Sequence, residues 1–161
     1  MTRRAPTVFE FTARDDPELL SALAEVARSG TGWINLEPVI DAEFEPPGPG
    51  PFAFLGGSIH KVPVATWLPG RRLPDGTARE TSLGLQHAAG PRVARRLRDL
   101  GLAVPEGWRI TQDHPRRGLV VAVPATVEPA TAVAWLLSAA EAVCQVPATG
   151  RWRASVHAGI G

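Results

Sequence analysis

Apolar residues recur along this chain with two periods, two and about 3.6 residues, and the switches between them mark its elements. In Thr7–Thr12, Val8 and Glu10 alternate with Phe9 and Phe11, which predicts a strand. Asp15-Asp16-Pro17-Glu18 follows, with an aspartate at the N-cap, a proline at the first helical position and acid in the first turn. Leu19, Leu20, Leu23, Val26 and Ala27 then repeat at helical spacing, and Gly30 is placed to end that helix. Trp33–Ile40 reads as the next strand. Glu43–Pro51 is too rich in proline and glycine to pair regularly and reads as a loop. Phe52–Leu55 and Val62–Leu68 read as short strands around a Gly56-Gly57 turn. A second polar loop runs from Pro69 to Glu80 and carries Arg71, Arg72 and the turn pair Asp75-Gly76.

The second half is more regular. Thr81–His87 predicts a strand. Gly90-Pro91 opens a helix with Val93, Leu97 and Leu100 on its apolar side, ending at Gly101. Trp108–Gln112 and Leu119–Val123 predict strands joined by the hairpin 113–118. Pro129 starts a helix whose stripe of Val133, Leu136, Leu137, Ala140, Val143 and Cys144 falls on one face. Trp152–His157 is the last strand. These elements predict an α+β fold, an antiparallel or mixed sheet with about three helices packed mainly on one face. The order of the second half is ferredoxin-like, βαββαβ. The first half also begins strand, helix, strand, strand, but its residues are too dissimilar to support a duplication.

Composition narrows the class. The chain has 161 residues, of which 44% are hydrophobic, enough for one core and one domain spanning 1–161. The loops 45–51 and 69–80 then read as insertions rather than linkers. No apolar run is long enough for a membrane helix, and Met1–Glu10 has no apolar segment of a secretory signal. The single cysteine, Cys144, forms no internal disulfide and agrees with a reducing compartment. A cytoplasmic, membrane-free protein is therefore expected.

Net charge is +1, which by itself selects no partner class. The distribution is uneven, with a balance of −7 over residues 10–45 and +4 over residues 86–120. Sixteen of the seventeen basic residues are arginines, Lys61 being the exception.

Chain order suggests where chemistry would gather. In a split βαβ unit the C-terminal end of Thr81–His87, the start of the helix after Gly90, the hairpin 113–118 and the loop from Cys144 to Arg151 share one edge of the sheet. An anion held by amides near Gly90 with Arg116, Arg117 and Arg151 is the leading expectation there. His87 and His114 with Asp113 form the alternative, acid–base chemistry, although no matched nucleophile accompanies them. A third reading is nucleic-acid binding through Arg92, Arg95, Arg96, Arg116 and Arg117, opposed by the absence of tyrosine and of an RNA-recognition signature. His60, His87, His114 and His157 have no ligand spacing, so neither a metal nor another cofactor is expected. Phosphate-loop and dinucleotide motifs are also absent. The sequence best fits a small non-catalytic binding or regulatory module with an anion-binding rim, self-associating or contacting another protein. Of the five tryptophans, most read as core, and Trp135, off the main helical stripe, stays open between core packing and a partner surface.

Overall fold

Helix α1 begins where an aspartate can satisfy its free amides. In the computed structural model, which describes residues 5–44 and 61–159, Asp16 Oδ1 accepts from the amides of Glu18 and Leu19 at 2.9 and 3.3 Å. Helix α1 therefore spans Pro17–Ser29, with Gly30 closing it in the left-handed conformation at φ 64°. Helix α3, Pro129–Val143, also opens on a proline and buries the stripe Val133, Leu136, Leu137, Ala140 and Val143. Helix α2 covers only Val93–Asp99. It starts two residues later than Pro91, because Arg92 adopts φ 58° and offers no side-chain cap.

The strands are β1 (Thr7–Phe11), β2 (Gly32–Ile40), β3 (Val64–Leu68), β4 (Thr81–Gln86), β5 (Arg109–His114), β6 (Gly118–Val123) and β7 (Ala148–Ala158). They form one sheet in the order β1-β7-β2-β3-β4-β6-β5. Every neighbouring pair is antiparallel, which realises the expected α+β class and removes the mixed alternative. The predicted strand Phe52–Leu55, the Gly56-Gly57 turn and most of the proline-rich loop lie outside the described residues.

The expected split βαβ arrangement is present in the second half. Strands β4 and β5 run parallel, joined through α2, and β6 lies antiparallel between them. The ferredoxin-like reading departs at the last strand. A closed unit would return β7 to its own half, but β3 holds the place beside β4. Strand β7 crosses instead to lie between β1 and β2, with Val156 opposite both Thr7 and Ile34. β1 and β2 run parallel, joined through α1, and β7 fills the place between them antiparallel to both.

Alternation then sorts the side chains. Ile34, Leu36, Ala65, Trp67, Leu83, Leu85, Leu119, Val121, Trp152 and Ala154 are buried in one cluster with Leu19, Leu23, Val93 and Leu97 and the α3 stripe. All three helices thus cover the same face. Trp135 is partly buried against this interior. Its ring meets Trp108 edge-on at 5.7 Å, and its indole donates to the Ala103 carbonyl at 3.2 Å. On the opposite face, Trp33 and His157 stack at 4.6 Å with ring planes 9° apart. Thr66 Oγ1 donates to Asn35 Oδ1 at 2.9 Å, and Asn35 Nδ2 lies 3.4 Å from His157 Nε2.

Candidate functional site

The edge at which β4 and β5 end gathers the segments the sequence assigns to it. Gln86 Nε2 at the end of β4 donates to the Arg117 carbonyl of the hairpin at 3.4 Å. Gln145 Nε2 donates to the Ala88 carbonyl at 2.8 Å, tying the α3–β7 loop to the β4–α2 loop. The polar groups there are nevertheless engaged with one another. Asp113 Oδ1 accepts from the Val93 amide and Oδ2 from the Ala94 amide, both at 3.1 Å. The amides that the sequence reading offers to an external anion near Gly90 therefore already hold a carboxylate of this chain. A tethered carboxylate meets the helix N-terminus at a far higher effective concentration than a free ligand does.

The histidines are likewise committed to local structure. His87 is 4% exposed, and its Nδ1 accepts from the Ala89 amide at 3.1 Å. His114 Nδ1 accepts from the Arg116 and Arg117 amides at 3.1 and 3.2 Å, closing the hairpin. Asp113 and His114 are successive strand residues, so their side chains leave opposite faces of the sheet and do not form a dyad. Cys144 is half-buried, its thiol 3.3 Å from the Val146 carbonyl. The Arg92, Arg95, Arg96, Arg116 and Arg117 side chains are exposed. Arg151 shares the edge but pairs with Glu10 at 3.1 Å. Its strand is four strands from β6, roughly 19 Å away at the usual strand spacing. Among the described residues no group of histidine, cysteine and carboxylate side chains could hold a metal.

Recesses open along the other edge of the sheet, where α1 ends. There the polar loop 69–80 folds back on itself. Arg72 bridges to Ala78, the Leu73 amide donates to the Thr77 carbonyl at 2.8 Å, and the Arg79 amide donates to the Arg71 carbonyl at 2.9 Å. Asp75 Oδ1 accepts from the Thr77 amide and hydroxyl at 2.9 and 2.6 Å. These bonds, the hydroxyl's first, hold its carboxyl below the ordinary 3.8. Gly70 is required at the base of this small hairpin, since a Cβ there would sit 1.8 Å from the Arg79 carbonyl oxygen.

The hairpin lies against the C-terminal turn of α1. Between them is a recess of about 330 Å³ lined by Arg28, Ser29, Thr31, Arg71, Arg72 and Pro74, among others, with no acidic residue in its wall. Among the described residues none of these three arginines forms an ion pair. The helix C-terminus contributes only about half a negative charge, against three full positive ones. One carbonyl of its last turn is engaged internally, with the Gly30 amide and the Ser29 hydroxyl both donating to the Val26 carbonyl. Three arginines without an ion pair among the described residues thus line one recess, and arginine suits forked contacts to oxyanions.

In the sequence Arg71 and Arg72 read only as part of a polar loop, and Arg28 only as a charge in an acidic stretch. The one local signal was the turn pair Asp75-Gly76, which implies that the loop folds back. No protein-family profile, curated protein or solved structure matches the chain.

Proposed function

We propose that this chain is a small non-catalytic binding module, and that its ligand carries an anionic group, carboxylate or phosphate, held by Arg28, Arg71 and Arg72. One observation carries the reading, a recess walled by three arginines and no acid. Arginine in this arrangement exposes five fixed N–H donors per side chain and suits planar or tetrahedral oxyanions. The non-catalytic part of the proposal draws on His87, Asp113 and His114, whose hydrogen bonds serve loop and helix geometry. The expected site at Gly90, Arg116 and Arg117 is the less favoured location, because Asp113 occupies the amides it would use.

Titration with inorganic phosphate, followed by amide chemical shifts, tests both the activity and the place. The expected shifts centre on residues 28–31 and 71–74. The double substitution Arg71→Ala, Arg72→Ala should weaken binding at least about tenfold, since a charge-assisted hydrogen bond contributes ~1.5–3 kcal/mol. Shifts centred on residues 90–94 and 116–117 would return the site to the other edge. Absence of saturable shifts anywhere would overturn the reading.

A further inference from the structure

The arginine recess does not end at Arg28. A second recess of about 500 Å³ runs from it between α1 and the outer strands, and Arg28, Ser29 and Thr31 line both. Its floor is apolar, formed by Phe9, Ala22, Val26 and Val156. It exists because α1 packs on β2, β7 and α3, leaving the outermost strand β1 beyond the helix. Phe9 is consequently only partly buried, against Val156 of the neighbouring strand.

The groove is also graded in charge. Glu18, Ser21, Ala22, Glu25 and Arg28 follow one stripe of α1 at steps of three or four residues, and all line the groove. From Glu18 to Arg28 the stripe is about 15 Å long at the helical rise. Its two carboxylates stand along the apolar portion and its arginine at the junction with the basic recess. Both glutamates are exposed, and neither forms an ion pair among the described residues. Two of the nine acidic residues of 10–45, Glu18 and Glu25, thus stand beside the apolar floor.

We infer that the ligand is an amphiphile with a single anionic head, whose head sits between Arg28, Arg71 and Arg72 and whose apolar body lies over Phe9, Ala22, Val26 and Val156. This rests on the anion-binding reading above and extends it to a ligand class. A volume of about 500 Å³ accommodates a short alkyl chain or one or two rings. Glu18 and Glu25 set the second half of the specificity. They repel a negative charge at the far end of the ligand and accept a neutral or cationic one.

Three short, fully soluble probes separate the claims: methyl phosphate, hexyl phosphate and hexane-1,6-bisphosphate. Methyl phosphate reads the arginine recess alone. Hexyl phosphate should bind at least about tenfold tighter, since each buried methylene contributes up to ~0.8 kcal/mol and several would be covered in an open groove. The bisphosphate should lose that advantage, and the double substitution Glu18→Gln, Glu25→Gln should restore it. Ser21→Trp, on the exposed side of the same stripe, should block the groove. It should abolish the hexyl advantage while leaving methyl phosphate binding and the helical far-ultraviolet circular dichroism signal essentially unchanged. Equal affinity for methyl and hexyl phosphate would overturn the inference and leave the anion reading standing. So would a hexyl advantage that survives Ser21→Trp. Failure of every phosphate to bind would overturn both.

Discussion

Short polar side chains in this protein are spent mostly on their own backbone. Asp16 caps α1, Asp113 caps α2, His114 closes the β5–β6 hairpin, and Asp75 holds the turn of the 69–80 loop. Single-sequence reasoning sees the first of these because donor and acceptor are two and three residues apart. It misses Asp113 because the amides it serves lie 20 and 19 residues earlier. Beside His114 and Pro115 that aspartate looks like turn chemistry or half of a catalytic pair. Asp75 gives the clearest measurable consequence at this scale. The Thr77 hydroxyl, then the Thr77 amide, stabilise its ionised form and hold its pKa below 3.8. A folded-state pKa below the unfolded one contributes stability that is present above the unfolded value and lost as pH falls through the folded value. The loop should therefore keep its turn on acidification to about pH 3.8 and release it only below. Thr77→Val removes the larger of the two bonds, so the Asp75 carboxyl resonance should titrate nearer 3.8 in the variant. A titration unchanged by Thr77→Val would assign the shift to the backbone amide alone.

Among the elements, period and punctuation made the helices and most strands legible. Aspartate-proline at one end and glycine at the other bounded α1, and the stripe of α3 is buried as spaced up to Val143, while Cys144 lies past the helix end and is half-buried. Strand partners were not legible, because alternation says which face a residue takes and not which strand lies beside it. The least supported pair is α2 with β5. Helix α2 has seven residues, no cap from Arg92, and Val93 and Leu97 as its buried anchors. Strand β5 is an edge with a register shift between Ile110 and Gln112, and Ile110 is 44% exposed. Asp113 joins the two. Asp113→Ala should cost about 1–2 kcal/mol, the usual loss for removing a cap, read from the denaturant midpoint. Hydrogen exchange should locate that loss. The amides of Val93–Asp99 and Arg109–His114 should exchange fastest among the regular elements and accelerate further in the variant, while β2 and β7 stay protected. Uniform acceleration across the sheet would mean that α2 and β5 are not a separate unit of stability.

At the scale of the whole chain, β7 is the strand that makes the two halves one body. It is the longest of the described strands, pairs on both sides, and places Trp152 and Ala154 in the core beside residues from the beginning of the sequence. Among the described residues β1 has no other strand partner. The candidate site depends on the same crossing, since Val156, at the far end of the chain, lies opposite Thr7 and floors the groove beside Phe9. That is why the groove could not be read from the sequence, whose order pointed β7 back into its own half. Pairs such as Thr7 with Val156 close loops of nearly the full chain length, and their entropy is recovered only when most other contacts exist. β7 should thus dock late in folding, yet its loss should not be local. Ending the chain after Val146 removes β7, strips β1 of that partner and opens α1 to water from below. The expected result is loss of cooperative unfolding throughout, seen as collapse of near-ultraviolet circular dichroism together with early exchange in β3, β4 and β6. A truncated chain that kept a protected β4-β6-β5 unit would show instead that the second half folds alone, and that the crossing strand serves the groove rather than the fold.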